Sequence, residues 1–124
     1  MKNFVKKILK YGLDKNYSGK VAIQSFEKEI TYKDLYKLDN IFSQFLSTLN
    51  IKNQEMIIVS LGNTIQQLVL HYSIIKNGFV AVPFSNELTL KKLNIFSNIL
   101  NAKIIITDKN IIQKNKKAIV VIKR

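Results

Sequence analysis

The stretch Glu55-Met-Ile-Ile-Val-Ser-Leu-Gly-Asn-Thr-Ile-Gln-Gln-Leu-Val-Leu-His-Tyr-Ser-Ile-Ile-Lys-Asn-Gly-Phe-Val-Ala-Val-Pro83 decides the fold. Its first part, Glu55 to Leu61, is a nearly continuous apolar run bounded by polar turns, the pattern of a strand covered on both faces. Ile65, Leu68, Val69, Tyr72 and Ile75 then recur at helical spacing up to Asn77–Gly78, where a glycine stops the helix. Phe79 to Val82 returns as a short strand closed by Pro83, which has no N–H to offer a sheet. A strand, a helix and a second strand in so few residues form a parallel crossover unit.

The same alternation continues outward. Downstream, Leu90, Leu93, Phe96 and Leu100 mark a helix, Lys103 to Thr107 a strand and Ala118 to Ile122 a further strand. Upstream, Thr31 can cap a helix with Asp34 three residues later, as in a capping box, and Ile30 can staple onto Leu35. Leu35, Leu38, Ile41, Phe42, Phe45, Leu46 and Leu49 continue that helix, and their spacing predicts one face packed on a sheet. Lys20 to Phe26 is β-prone, and Glu27–Lys28–Glu29 turns the chain toward Ile30, which suggests a strand or hairpin. Phe4, Val5, Ile8 and Leu9, interrupted by lysines, predict a short basic amphipathic helix ending near Gly12. The reading is an α/β chain with a mainly parallel sheet: residues 1–19 form an N-terminal helix and turn, residues 20–124 the α/β domain.

A net charge of +12 raises the question of nucleic acid. The excess is unevenly placed: residues 1–20 carry +5, residues 109–124 carry +6 and residues 21–108 only +1. Such terminal lysine runs read as solvated faces, so nucleic-acid binding is not expected, although a basic nucleic-acid or membrane-surface binder stays open as a third class of function. The absence of cysteine removes thiolate chemistry and dependence on disulfides, which makes a cytoplasmic location the expectation. Lysines break the apolar residues of the first twelve positions, unlike a signal peptide, and no apolar run is long enough to span a membrane.

Candidate chemistry is sparse. The four glycines, at 12, 19, 62 and 78, are isolated, so no glycine-rich phosphate cradle is formed. His71 is the sole histidine; with Tyr72 and Ser73 beside it a base could be imagined, but no carboxylate stands three or four positions away to orient it. It reads as a boundary residue. Glu27 and Glu29 read as solvated, Asp34 as a helix-start residue, and Tyr32, Tyr36, Phe42 and Phe45 as packing rather than ligand stacking. No residue is assigned a catalytic, cofactor-binding or metal-ligating role.

Three segments together resemble the opening of the adenylate-forming (AMP-binding) superfamily of acyl-CoA synthetases, nonribosomal adenylation domains and luciferases. They are Ile30–Leu35 (ITYKDL), preceded by Ala22–Ile23; Leu61–Gly62–Asn63 after EMIIVS; and Ile74–Pro83 (IIKNGFVAVP), where Asn77 and Phe79 replace the usual small residues. The later ELTLKKLNIFSNILNAKIIIT also fits, so the likeness runs over roughly residues 5–122. The resemblance implies an incomplete N-terminal subdomain of that fold. It further implies a complete enzyme that activates a carboxylate with ATP and magnesium as an acyl-adenylate, often passing it to coenzyme A or a carrier thiol. The "LT" at Leu88–Thr89 leans toward acyl-CoA synthetases. The family's Ser/Thr/Gly-rich phosphate loop, nucleoside-binding residues and catalytic lysine have no counterpart here, and strand Ala118–Ile122 resembles one lying shortly before that loop. The expectation is a segment inactive alone and binding no cofactor by itself, either a decayed gene product or one half of a split enzyme whose second polypeptide supplies the rest. The alternative is a stand-alone, non-catalytic interaction module. A split partner would leave an exposed apolar surface.

Overall fold

A computed structural model describes residues 2–26 and 28–108 and the backbone of residues 118–121. Helix α1 (Lys2–Lys10) runs into a single 3-10 turn, Tyr11–Leu13, and the chain then forms strands β1 (Val21–Gln24) and β2 (Glu29–Thr31). Helix α2 (Tyr32–Ser47), strand β3 (Met56–Ser60), helix α3 (Thr64–Lys76), strand β4 (Val80–Pro83), helix α4 (Leu90–Leu100) and strands β5 (Ile104–Thr107) and β6 (Ala118–Val121) follow. The strands form two sheets. β1 and β2 pair as an antiparallel hairpin, while the other four are parallel in the order β4-β3-β5-β6.

Local chemistry sets the boundaries. Thr31 Oγ1 accepts from Asp34 N at 3.2 Å and Asp34 Oδ2 accepts from Thr31 N at 3.3 Å, a reciprocal capping box that starts α2 where the sequence places it. Asn63 caps α3 through Gln66 N and Thr89 caps α4 through Lys92 N. Gly78 stands just beyond α3 at φ 88°, where a side chain would strain the backbone and run into the Asn53 amide. Gly12 has a different reason: a Cβ there would meet Tyr36 and the carbonyl oxygen of Tyr32, so its absence lets the turn after α1 lie against α2.

Successive residues of the central strands enter different cores, as the period of a strand requires. Ile57, Val59, Ile104 and Ile106 join one buried cluster with Val5 and Leu9 of α1, Leu35, Phe42 and Leu46 of α2, and Val69, Leu70 and Ile74 of α3. Ile58 and Ile105 point the other way into a smaller cluster with Leu93 and Ala102. Helix α2 departs from expectation: its principal neighbours are α3, α1, the turn before the hairpin and the hairpin itself, rather than the four-stranded sheet. Ile41, assigned to its apolar face, is 61% exposed, whereas Asp39 is buried in that face. Helical drift explains the exchange, since 35, 39, 42 and 46 form the inward stripe and 41 falls outside it. Among the described residues no helix is long and apolar enough to cross a membrane.

Candidate functional site

β3 is followed by α3 on one face of the sheet and β4 by α4 on the other, so the chain diverges at the carboxyl ends of these neighbouring strands. In open α/β sheets ligands are received beyond the carboxyl ends of the strands, where the strand order reverses, which in the order β4-β3-β5-β6 lies between β3 and β5. A crevice of about 400 Å³ lies beside that point, beyond the ends of β3 and β4, lined by Leu61, Gly62, Thr64, Gln67, Leu68 and His71 on one side and by Phe84, Ser85 and Asn86 on the other.

The edge of the crevice is tied down by hydrogen bonds. Ser60 Oγ donates to the Ser85 carbonyl at 3.1 Å, linking the two strand ends. Leu61 N donates to Gln67 Oε1 at 2.8 Å, and Gly62 N donates to Asp108 Oδ2 at 2.9 Å, which ties the β3 end to the residue after β5. Phe84 stacks on Phe96 of α4, ring centres 4.9 Å apart. Burial lowers the pKa of His71 below its ordinary value, and its Nε2 is enclosed without a hydrogen-bond partner. A histidine whose basicity is lowered by burial and which no carboxylate orients makes a poor general base.

The implied cofactors do not fit these residues. Among the described residues the crevice presents neither a glycine-rich loop nor a lysine or arginine toward a triphosphate, and no three His, Asp or Glu side chains gather to hold a cation. No step of ATP or magnesium chemistry is therefore assigned to them.

The other candidates separate in space. Ser73, two residues after His71, is fully buried and donates to Asp39 Oδ1 at 2.7 Å and to the Val69 carbonyl at 3.1 Å. Glu29 lies exposed on the hairpin, Asp34 completes the capping box, and Glu27 lies outside the described residues. The aromatic set of α2 does not form a stack. Phe42 is buried, Tyr32 and Phe45 pack on the core, Tyr32 meets Tyr11 edge-on at 5.5 Å, and Tyr36 lies against the turn at Gly12.

Sequence reasoning missed a polar cluster that joins α2 to α3. Lys76 Nζ donates to Asp39 Oδ2 at 2.5 Å; the Asp39 side chain is 2% exposed and that of Lys76 21%. Ser43 Oγ also donates to Asp39 Oδ1, and Asn77 Nδ2 donates to Ser43 Oγ at 3.0 Å and to the Ser73 carbonyl at 2.7 Å. Asn77 thus has a structural reason to stand where the resemblance leads one to expect a small residue. The available signal was an acid within the 35-39-42-46 stripe, which calls for a buried partner.

The cluster lies at the edge of a larger groove of about 590 Å³ between α1, α2 and the end of α3. Lys2, Lys6 and Lys10 of α1 line it with Lys76. Like charges four residues apart destabilise a helix by about 0.2–0.5 kcal/mol per pair, and α1 has no acid in its first turn to offset them.

A model of the AMP-binding enzyme family matches residues 13–124. The nonribosomal peptide synthetase GRA1 of Gibberella zeae is 26% identical over 92 residues, 74% of this chain but only 1% of that protein. An artificially fused adenylation–PCP di-domain, NpsA-ThdA from Klebsiella oxytoca, superposes with a TM-score of 0.79 at 13% identity, covering 98% of this chain and 22% of that one. The N-terminal subdomain of Klebsiella oxytoca NpsA in complex with 3-hydroxybenzoyl-AMSN gives 0.78 at 13% identity, covering 98% and 29%. VinN in complex with L-aspartate gives 0.77 at 19% identity, covering 95% and 34%. At these identities the structures speak for the fold, and this chain spans about a third or less of each of them.

Proposed function

The chain belongs to the family of AMP-binding enzymes, and on that premise we propose that it supplies the first α/β layers of the large domain of an ATP-dependent, carboxylate-activating enzyme, and that these layers are catalytically silent until the remainder of the domain joins them. The observation that carries this reading is the family match over residues 13–124, on a chain whose parallel sheet superposes on the N-terminal subdomain of an adenylation enzyme. What supports silence is chemistry: among the described residues the crevice beyond β3 and β4 offers a histidine of lowered basicity, hydroxyls and amides but no charged side chain facing a phosphate.

The contribution of this segment is positional. The ties from Ser60 to Ser85 and from Gly62 to Asp108 hold the carboxyl ends of β3, β4 and β5 in one rigid edge. That edge is one wall of the site; the phosphate-binding and acid-activating residues come from the remainder of the domain, on the same polypeptide or a second one. The face of α4 that carries exposed Ile95 and Ile99 is where the remainder packs. The acceptor, coenzyme A or a carrier thiol, is set by that remainder.

The test is carboxylate-dependent exchange of labelled pyrophosphate into ATP. Residues 1–124 alone are expected to show none, and activity is expected on co-expression with a family remainder lacking its own equivalent of residues 1–124. Exchange by the isolated segment would overturn the reading, as would failure of the segment to associate with any such remainder.

A further inference from the structure

The lysine-lined groove between α1, α2 and the end of α3 lies away from the crevice beyond β3 and β4. Lys76 and Thr64 stand at opposite ends of α3, roughly 18 Å apart along its axis at 1.5 Å per residue. Lys2, Lys6 and Lys10 follow one another at intervals of four on α1, so their Cα atoms rise in steps of about 6 Å along one side of the helix. None of the three makes an ion pair among the described residues. The one carboxylate among the described residues of the groove, Asp39, is already bound by Lys76, Ser73 and Ser43 and does not offset them. The same groove has apolar surface from Leu9, Leu13 and Tyr36, and Leu13 is 65% exposed.

From this geometry we infer that the groove binds an acidic segment of a partner protein in extended conformation, with carboxylates at alternate residues facing the lysines of α1. Alternate residues of an extended chain are about 6.6 Å apart, close to the lysine step, and their side chains share one side. Three carboxylates therefore span Lys2 to Lys10. The concave shape and apolar surface favour a peptide over a flat lipid surface, because the backbone and intervening side chains then cover Leu13 and Tyr36. A nucleic-acid strand would bring phosphates but no apolar side chains to bury there.

The experiment measures anisotropy of a labelled pentapeptide alternating glutamate and leucine, in 50 mM and 200 mM salt, with the whole chain. Binding is expected to weaken with salt, to fall at least tenfold in Lys6→Glu/Lys10→Glu, and to change less than twofold in Lys91→Glu/Lys92→Glu, which removes the same charge from exposed positions on α4. A peptide alternating lysine and leucine is expected to prefer the Lys6→Glu/Lys10→Glu variant over the parent chain. Should that variant lose its helical circular dichroism, Lys6→Gln/Lys10→Gln reads the same site with a loss of at least threefold. The inference is overturned if the α4 variant loses as much, if glutamine replaces glutamate in the peptide without loss, or if a uridine oligonucleotide or phosphatidylserine vesicles displace the peptide at lower concentration through the same lysines. None of these readouts depends on adenylation.

Discussion

On one face of the parallel sheet, Ile57, Val59, Ile104 and Ile106 lie under a continuous apolar layer drawn from three helices and the β1–β2 hairpin. On the other face, among the described residues, Ile58 and Ile105 are covered by α4 and the residues around Phe84 and Leu88, and α4 turns Ile95 and Ile99, 49% and 71% exposed, outward. An apolar pair at i and i+4 on the solvent side of a helix gives no stability to the chain by itself. The first face is a finished core, down to a buried ion pair with its hydroxyls in place. The second is a helix with its inner side docked and two isoleucines exposed on its outer side. Under the proposed function, the permanent structure lies on the α1–α3 side and the junction with a family remainder on the α4 side.

The strongest way to break the finished face is to leave its carboxylate without a cation. Lys76→Met strands Asp39 in a buried site and is expected to cost about 3–5 kcal/mol, as removal of one partner of a buried pair does. Asp39→Leu is expected to cost less than half of that, because Lys76, one-fifth exposed, can turn its ammonium to water. Urea unfolding monitored by far-ultraviolet circular dichroism measures both. Equal losses would mean that the pair is solvated and that the α2–α3 contact rests on its apolar residues alone.

A smaller effect sharpens the same contrast. Leu70 and Leu93 are both fully buried, one under each face. Leu70→Ala opens a cavity walled by several elements that cannot close it, with an expected loss of about 3–4 kcal/mol. Leu93→Ala is expected to lose about 2 kcal/mol, since α4 can settle toward the sheet with little else to displace. If Leu93→Ala proved the costlier in urea unfolding, the thin face would be as rigid as the thick one, and α4 would be a poor candidate for a junction.

How much of this could be read without coordinates depends on the range of each interaction. The capping box at Thr31 and Asp34, the stop at Gly78, the strand closed by Pro83 and the helix–strand alternation are local, and the structure has them where the spacing puts them. The Asp39–Lys76 pair joins residues 37 positions apart, and periodicity carries no information about which residue will face which. The same limit applied to α2, whose stripe announced burial but not that helix α3 and the turn after α1 would be its chief cover. The lysine groove was invisible for that reason too: the charges of α1 read as a solvated face until α1 was seen lying beside Tyr36 and Lys76. His71 was legible as a boundary residue, but the crevice at its side required the order of the strands.

The smallest expected effect on stability is the most informative about the thin face. Ile95→Lys/Ile99→Lys replaces two outward side chains and is expected to leave unfolding in urea within about 0.5 kcal/mol of the parent, as exposed substitutions do. On co-expression with the remainder of a family domain, the same variant is expected to lose association, because burying two ammonium groups without partners costs far more than keeping them in water. Neutral stability with lost association assigns the exposed isoleucines to the junction. Neutral stability with full association would move the junction elsewhere, to an edge of the sheet such as β4, while a large loss of stability would show that Ile95 and Ile99 already serve the fold of this segment and that the two faces differ less than their coverage indicates.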